Sequence, residues 1–171
     1  MGSMKSETAR FIGPRALAFT TTLFLSLVLI GALPTARSRR QQYFAEASML
    51  GNLRRMQMLH LTGADVNAAG TCCTPLFLAA GSGNAEAVRY LINQGADVNS
   101  RQRFGQTALT EAAFYGNDAV IKELLKHGAE VNAVSDEGTA LDIANKGNHT
   151  AVADLLKHYG GRRACEIRGS C

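Results

Sequence analysis

Apolar positions are laid out in two ways along the chain. From Ala16 to Leu33 they run for 18 residues without a polar face, densest at Leu23-Phe24-Leu25-Ser26-Leu27-Val28-Leu29-Ile30, until Pro34 breaks the run. A stretch that is apolar all round seeks lipid or a deep core rather than a protein surface. Farther on, apolar residues come in sets one helical turn apart: Met56 with Leu59, Val88 with Leu91-Ile92, Ile121 with Leu124-Leu125, and Val152 with Leu155-Leu156. That spacing belongs to helices with one face in a core. Glycines punctuate the sets. Gly51, Gly83, Gly116 and Gly147 stand where a first helix must stop and reverse, and Gly95 and Gly128 where a second helix ends.

The punctuation repeats. Gly63-Ala64-Asp65-Val66-Asn67 returns as Gly95-Ala96-Asp97-Val98-Asn99 and as Gly128-Ala129-Glu130-Val131-Asn132, at offsets of 32 and 33 residues. Thr74-Pro75-Leu76 returns as Thr107-Ala108-Leu109 and Thr139-Ala140-Leu141. Ala79-Ala80-Gly81-Ser82-Gly83-Asn84 matches Ala112-Ala113-Phe114-Tyr115-Gly116-Asn117 in the same register. A fixed period of this size marks a stacked-repeat architecture.

These landmarks resemble the ankyrin repeat, with its period of about 33 residues and T-P-L-H-x-A signature. Phe77, Thr110 and Asp142 replace the signature histidine. The resemblance implies an all-α solenoid of stacked helix–turn–helix units with projecting turns, and the apolar run adds an N-terminal hydrophobic helix in residues 1–40 ahead of it. Repeats fall at about 42–67, 68–99, 100–132 and 133–161, with a flexible Cys-containing tail over 162–171. The turns before Thr74 and Thr139 are one residue shorter than the one before Thr107. Thr74, Thr107 and Thr139 are expected to cap the first helices through their hydroxyls, and Pro75 suits a first helical position. Asp142, Asn145, Lys146 and His149 give the last repeat the polar outer face of an end cap.

The resemblance also implies function by recognition, through the projecting turns and the adjoining face of the first helices. Repeat three is richest there, with Arg101, Arg103, Phe104 and Gln106 in its turn and Phe114 and Tyr115 at its first-helix end. Repeat one offers Met49 and Leu50, repeat four Asn145 and Lys146, and repeat two only the small Cys73, Gly81 and Ser82. Aromatic and arginine side chains dominate binding hot spots.

Catalytic and cofactor signatures are missing from the sequence. His60, His127, His149 and His158 stand in no metal-ligand spacing such as H-x₃₋₅-H beside C-x₂-C, and His127 and His158 are placed to bond the last carbonyls of their helices. No metal, cofactor or small-molecule substrate is expected. The cysteines leave alternatives open. Cys165 and Cys171 pair if the domain is exported and are otherwise free thiols. Cys72-Cys73 are exposed inert thiols or a redox pair.

Composition sharpens the leader. The 171 residues have a net charge of +4 and a pI near 9.0, with 6% aromatics and no Trp. Residues 1–40 hold six basic side chains (Lys5, Arg10, Arg15, Arg37, Arg39 and Arg40) against Glu7, a net +5, which leaves −1 for the remainder. The basic pI thus belongs to a membrane-seeking segment and not to a nucleic-acid surface. That segment reads as a cleaved secretory signal or as an uncleaved single-span anchor, with a core helix of the folded domain as the third reading. Neither Ala32 nor Ala36 makes a good cleavage site, since Ile30 and Pro34 precede them by two residues. The expectation is a non-enzymatic protein-interaction module, secreted, periplasmic or anchored by a single span, that binds an unidentified protein. The alternative is an envelope redox or oxidative-stress accessory protein working through its cysteines.

Overall fold

The computed structural model describes residues 36–70 and 72–170. The apolar stretch and the hydrophobic helix expected there lie outside the described residues. Among those that are described, no helix is long and apolar enough to cross a membrane. The described chain forms one compact helical unit that begins at Ala36.

Four helix pairs follow one another: α1 (Ala36–Met49) with α2 (Leu53–Leu61), α3 (Pro75–Gly81) with α4 (Ala85–Asn93), α5 (Ala108–Tyr115) with α6 (Asp118–Lys126), and α7 (Ala140–Lys146) with α8 (Thr150–His158). A short α9 (Ala164–Arg168) closes the chain. First helices pack against first helices in one row and second helices against second helices in another. Phe44, Leu76, Leu109 and Leu141 hold one equivalent position on the first helices, and Ala47, Ala79, Ala112 and Ala144 another; all eight are buried. The alanines keep that row thin enough for close stacking, while each fully buried leucine contributes about 1.5–3 kcal/mol. On the second helices Leu91, Leu124 and Leu156 repeat in the same way and are fully buried.

A ladder of asparagines joins successive repeats. The Asn67 amide donates to the Gly95 carbonyl at 3.0 Å and its oxygen accepts from the Asp97 N–H at 2.8 Å. Asn99 does the same to Gly128 and Glu130, at 3.1 and 2.8 Å. Asn132 does it to Gly160 and Arg162, at 3.2 and 2.7 Å. Each asparagine thus satisfies a helix-end carbonyl and a loop N–H that would otherwise lack partners. Ahead of the first rung, Gln41 of α1 plays the same part toward the Asp65 N–H and carbonyl, at 3.0 and 2.7 Å.

Several local expectations are corrected. Thr107 and Thr139 close capping boxes with Thr110 and Asp142, the residues at the signature-histidine position. Thr74 does not cap α3 through its side chain, and Phe77 has no polar group to return a bond to the Thr74 N–H. Gln102 from the next turn serves Thr74 instead, accepting from its N–H at 3.3 Å and donating to its hydroxyl at 3.2 Å. In the fourth repeat the reversal falls on Asn148 (φ 57), with Gly147 still right-handed (φ −81). Asn148 is therefore the counterpart of Gly83 and Gly116. His127 meets the Glu123 carboxylate at 3.3 Å rather than a helix-end carbonyl, and His158 lies edge-on to Tyr159. The same buried Glu123 accepts from Arg89 of the preceding repeat at 2.9 Å, and that guanidinium holds its carboxyl below the usual range.

The folded chain also extends past both bounds expected from the sequence. At the start, α1 includes residues 36–40, which the charge pattern groups with the leader. At the end, Ala164 donates to Asp142 at 2.7 Å and the Thr139 hydroxyl lies 2.9 Å from the Arg162 carbonyl, so a helix stands in place of the expected loose tail.

Candidate protein-binding face

The third turn is built differently from its neighbours. Repeat two closes with Gly70 N–H bonded to the Cys73 carbonyl, and repeat four with reciprocal bonds between Ser135 and Gly138. Repeat three carries one residue more and closes from Gln102 to Gln106 at 2.7 Å. The extra length is absorbed by two consecutive left-handed residues, Phe104 (φ 62) and Gly105 (φ 71). For an L-residue that conformation costs about 1–2 kcal/mol. The Phe104 carbonyl accepts from the Asp136 N–H of the next turn at 3.0 Å, which pins the strained residue in place. Its ring stays 57% exposed, with the Arg103 guanidinium over it, 5.1 Å from the centroid.

Phe114 and Tyr115 end α5, with their rings edge to face at 5.1 Å and both more than half exposed. The His149 ring nitrogen lies 3.0 Å from the Phe114 carbonyl and fixes the backbone beneath them. Gln106, Glu111, Phe114, Tyr115, Glu137 and Ile143 line a small hollow between α5 and the fourth turn. An adjoining hollow of about 220 Å³ runs from Phe114 past Ile143 to Lys146 and Gly147.

The residues singled out in the sequence divide accordingly. Gln106, Phe114 and Tyr115 come together, with Lys146 across from Phe114. Phe104 and Arg103 stand on the turn above. Met49 and Leu50 are exposed at the end of α1, in register with Phe114 and Tyr115, with Gly81 and Ser82 between. Arg101 works within the fold instead. It donates to the Val134 carbonyl at 3.1 Å and pairs with Glu130 at 3.3 Å, tying the third turn to the fourth repeat. Asn145 shares its register with the buried Ala113 and lines a separate hollow beside Arg163 and Arg168.

Glu111, Glu137 and Ile143 are additions that the repeat pattern does not single out. Glu111 precedes Phe114 and Tyr115 by three and four residues, so helical periodicity puts it on their side. Burial, and then the Glu137 charge, push its carboxyl above the ordinary range.

The cysteine chemistry is also legible. Cys72 and Cys73 are free. Burial, and then the hydrogen bond and charge of Cys72, push the Cys73 thiol up to about 12. It stays protonated at neutral pH, whereas a redox pair needs a thiolate. Cys165 is disulfide-bonded; Cys171, the partner expected for it if the domain is exported, lies outside the described residues. Among the described residues no group of three His, Cys, Asp or Glu side chains is placed to hold a metal ion.

Helix pairs stacked in register, with turns projecting beside the first-helix row, define a solenoid whose working part is a surface. A family model described as ankyrin repeats (3 copies) matches residues 44–135 and again 95–166. The chain belongs to the ankyrin-repeat family, and its repeats make it a protein–protein interaction module. It is similar to the E3 ubiquitin-protein ligase XBAT33 of Arabidopsis thaliana, 40% identical over 72 residues. The match takes in 42% of this chain and only 13% of that protein.

Proposed function

We propose that the chain works by binding and without chemistry of its own, holding a protein partner across the face formed by the third turn, the end of α5 and the start of the fourth repeat. The ligase activity in the relative's name belongs to a far longer protein and is not carried over. One observation supports this reading above the others. Phe104 is kept in a left-handed conformation that glycine adopts without strain, yet its ring packs into no core. Strain of that kind is retained where it serves something outside the fold. Phe114 and Tyr115 add two more exposed rings at a site whose backbone is held rigid, which lowers the ordering cost of association. The partner meets this face outside the cell or at a membrane, a location supported by the apolar run over 16–33 and its flanking basic residues.

Affinity capture from membranes and from supernatant, with N-terminal sequencing of the bait, tests location and binding together. A partner retained by the native chain should be lost at least tenfold on Phe104→Ala or Tyr115→Ala, a change of about 1.4 kcal/mol or more, with unchanged circular dichroism. Undiminished capture by both folded variants would overturn the site.

A further inference from the structure

We propose that the N-terminal end of the stack, formed by α1 and α2, rests on an anionic membrane surface. Three positions are covered in every later repeat. They are Pro75, Ala108 and Ala140; Ala87, Val120 and Val152; and Tyr90, Glu123 and Leu155, all buried or half-buried. Among the described residues no repeat precedes α1, and Tyr43, Arg55 and Met58 hold those same places in the open. Tyr43 is 44% exposed and Met58 64%. Leu61, at 81%, is apolar where the later repeats have Asn93, Lys126 and His158. On α2 the spacing of Arg54, Met58 and Leu61 places them on one side, and the Arg55 guanidinium lies 5.4 Å from the Tyr43 ring centroid.

Charge decides what covers this end. Residues 36–62 carry five arginines against Glu46, a net +4, while residues 63–171 carry ten basic against twelve acidic side chains, a net −2. An anionic leaflet attracts the first block by about 1 kcal/mol for each basic residue near it and repels the second, which sets the orientation. Arginine stems lie along apolar ground with their heads among lipid headgroups, and Tyr43, Met58 and Leu61 supply a shallow apolar contact. A second copy meeting end to end would bring two +4 blocks together. The proposal rests on the membrane association proposed above and gives it a contact surface.

Hydrogen exchange on the full chain, reconstituted with phosphatidylcholine vesicles with and without phosphatidylserine, tests it. The chain should float with both kinds of vesicle. Amides over 53–62 should exchange about fivefold more slowly on the anionic ones only, and added salt should reverse this. Amides of α6 and α8 should not change. The double variant Arg54→Glu, Arg55→Glu should float with unchanged circular dichroism and lose the slowing. Failure to float with either vesicle would overturn the membrane reading along with this one. Flotation without anion-dependent slowing would overturn this inference alone. So would slowing that needs no lipid and grows with protein concentration, which indicates a second copy, or slowing on neutral vesicles only when an acidic protein is added.

Discussion

The two ends of the stack are finished in opposite ways. At the C-terminal end, Asp142 takes the N–H groups of Thr139 and Ala164 at 3.0 and 2.7 Å, which ties the first residue of α9 to α7. The Ala164 N–H and the Arg162 carbonyl find their partners on the last repeat itself, in Asp142 and the Thr139 hydroxyl. At the N-terminal end the last side chains among the described residues are Tyr43, Arg55, Met58 and Leu61, and they stay exposed. An end that faces only water needs polar closure; the contrast teaches that the first repeat is not shaped for water alone.

The largest effect should come from weakening the open end. Phe44 is fully buried where the later repeats have leucine, and Phe44→Ala should cost about 3–5 kcal/mol. Because α1 and α2 are flanked on one side only among the described residues, hydrogen exchange should show them opening while α6 to α8 keep their protection. Uniform loss of protection across all repeats would mean the ends are not energetically separate.

The closed end should respond to pH. Burial alone would raise the Asp142 carboxyl, but hydrogen bonds from Ala164 and Thr139 outweigh it and hold the group below the ordinary range. A depressed carboxyl contributes stability that is present above its unfolded value of about 3.9 and is lost as pH falls through the folded value. Asp142→Asn should cost about 1–2 kcal/mol near neutrality and flatten the acid limb of a stability–pH curve. An identical slope in native and variant chains would remove Asp142 from that role.

The smallest effect lies between the ends. Phe104→Gly removes left-handed strain but adds freedom to the unfolded chain, so denaturation should show a gain of no more than about 1 kcal/mol. Partner binding should still fall. A folded variant that is less stable than the native chain would show that the ring supports the turn after all.

The repeat and its helix pairs are legible in the sequence because their landmarks are backbone requirements, which few residue types can meet. The fourth reversal falls one residue beyond its expected place because Gly147 and Asn148 are adjacent and both types tolerate left-handed geometry. The 32-residue offset from Thr107 to Thr139, carried on from Gly116, points to Asn148. Long-range substitutions are harder to see. Gln102 serves Thr74 across 28 residues and Arg101 reaches Glu130 across 29, and only the stacked backbone brings them together. At the candidate site the aromatic residues are legible by type, whereas Glu137 and Ile143 reach it from another repeat.

The asparagine ladder carries a consequence for how such a chain changes length. Every rung recognises main-chain atoms alone: a carbonyl just after a helix and an N–H two residues later. No side chain on the receiving repeat has to match. Gly160 and Arg162 fill those sockets after Asn132 as if another unit were starting. A duplicated segment spliced in after Asn99 or Asn132 would therefore find its joint already cut. Tandem duplication within a gene can lengthen the stack in one event, and the surface chemistry of the new unit is then free to drift toward a different partner.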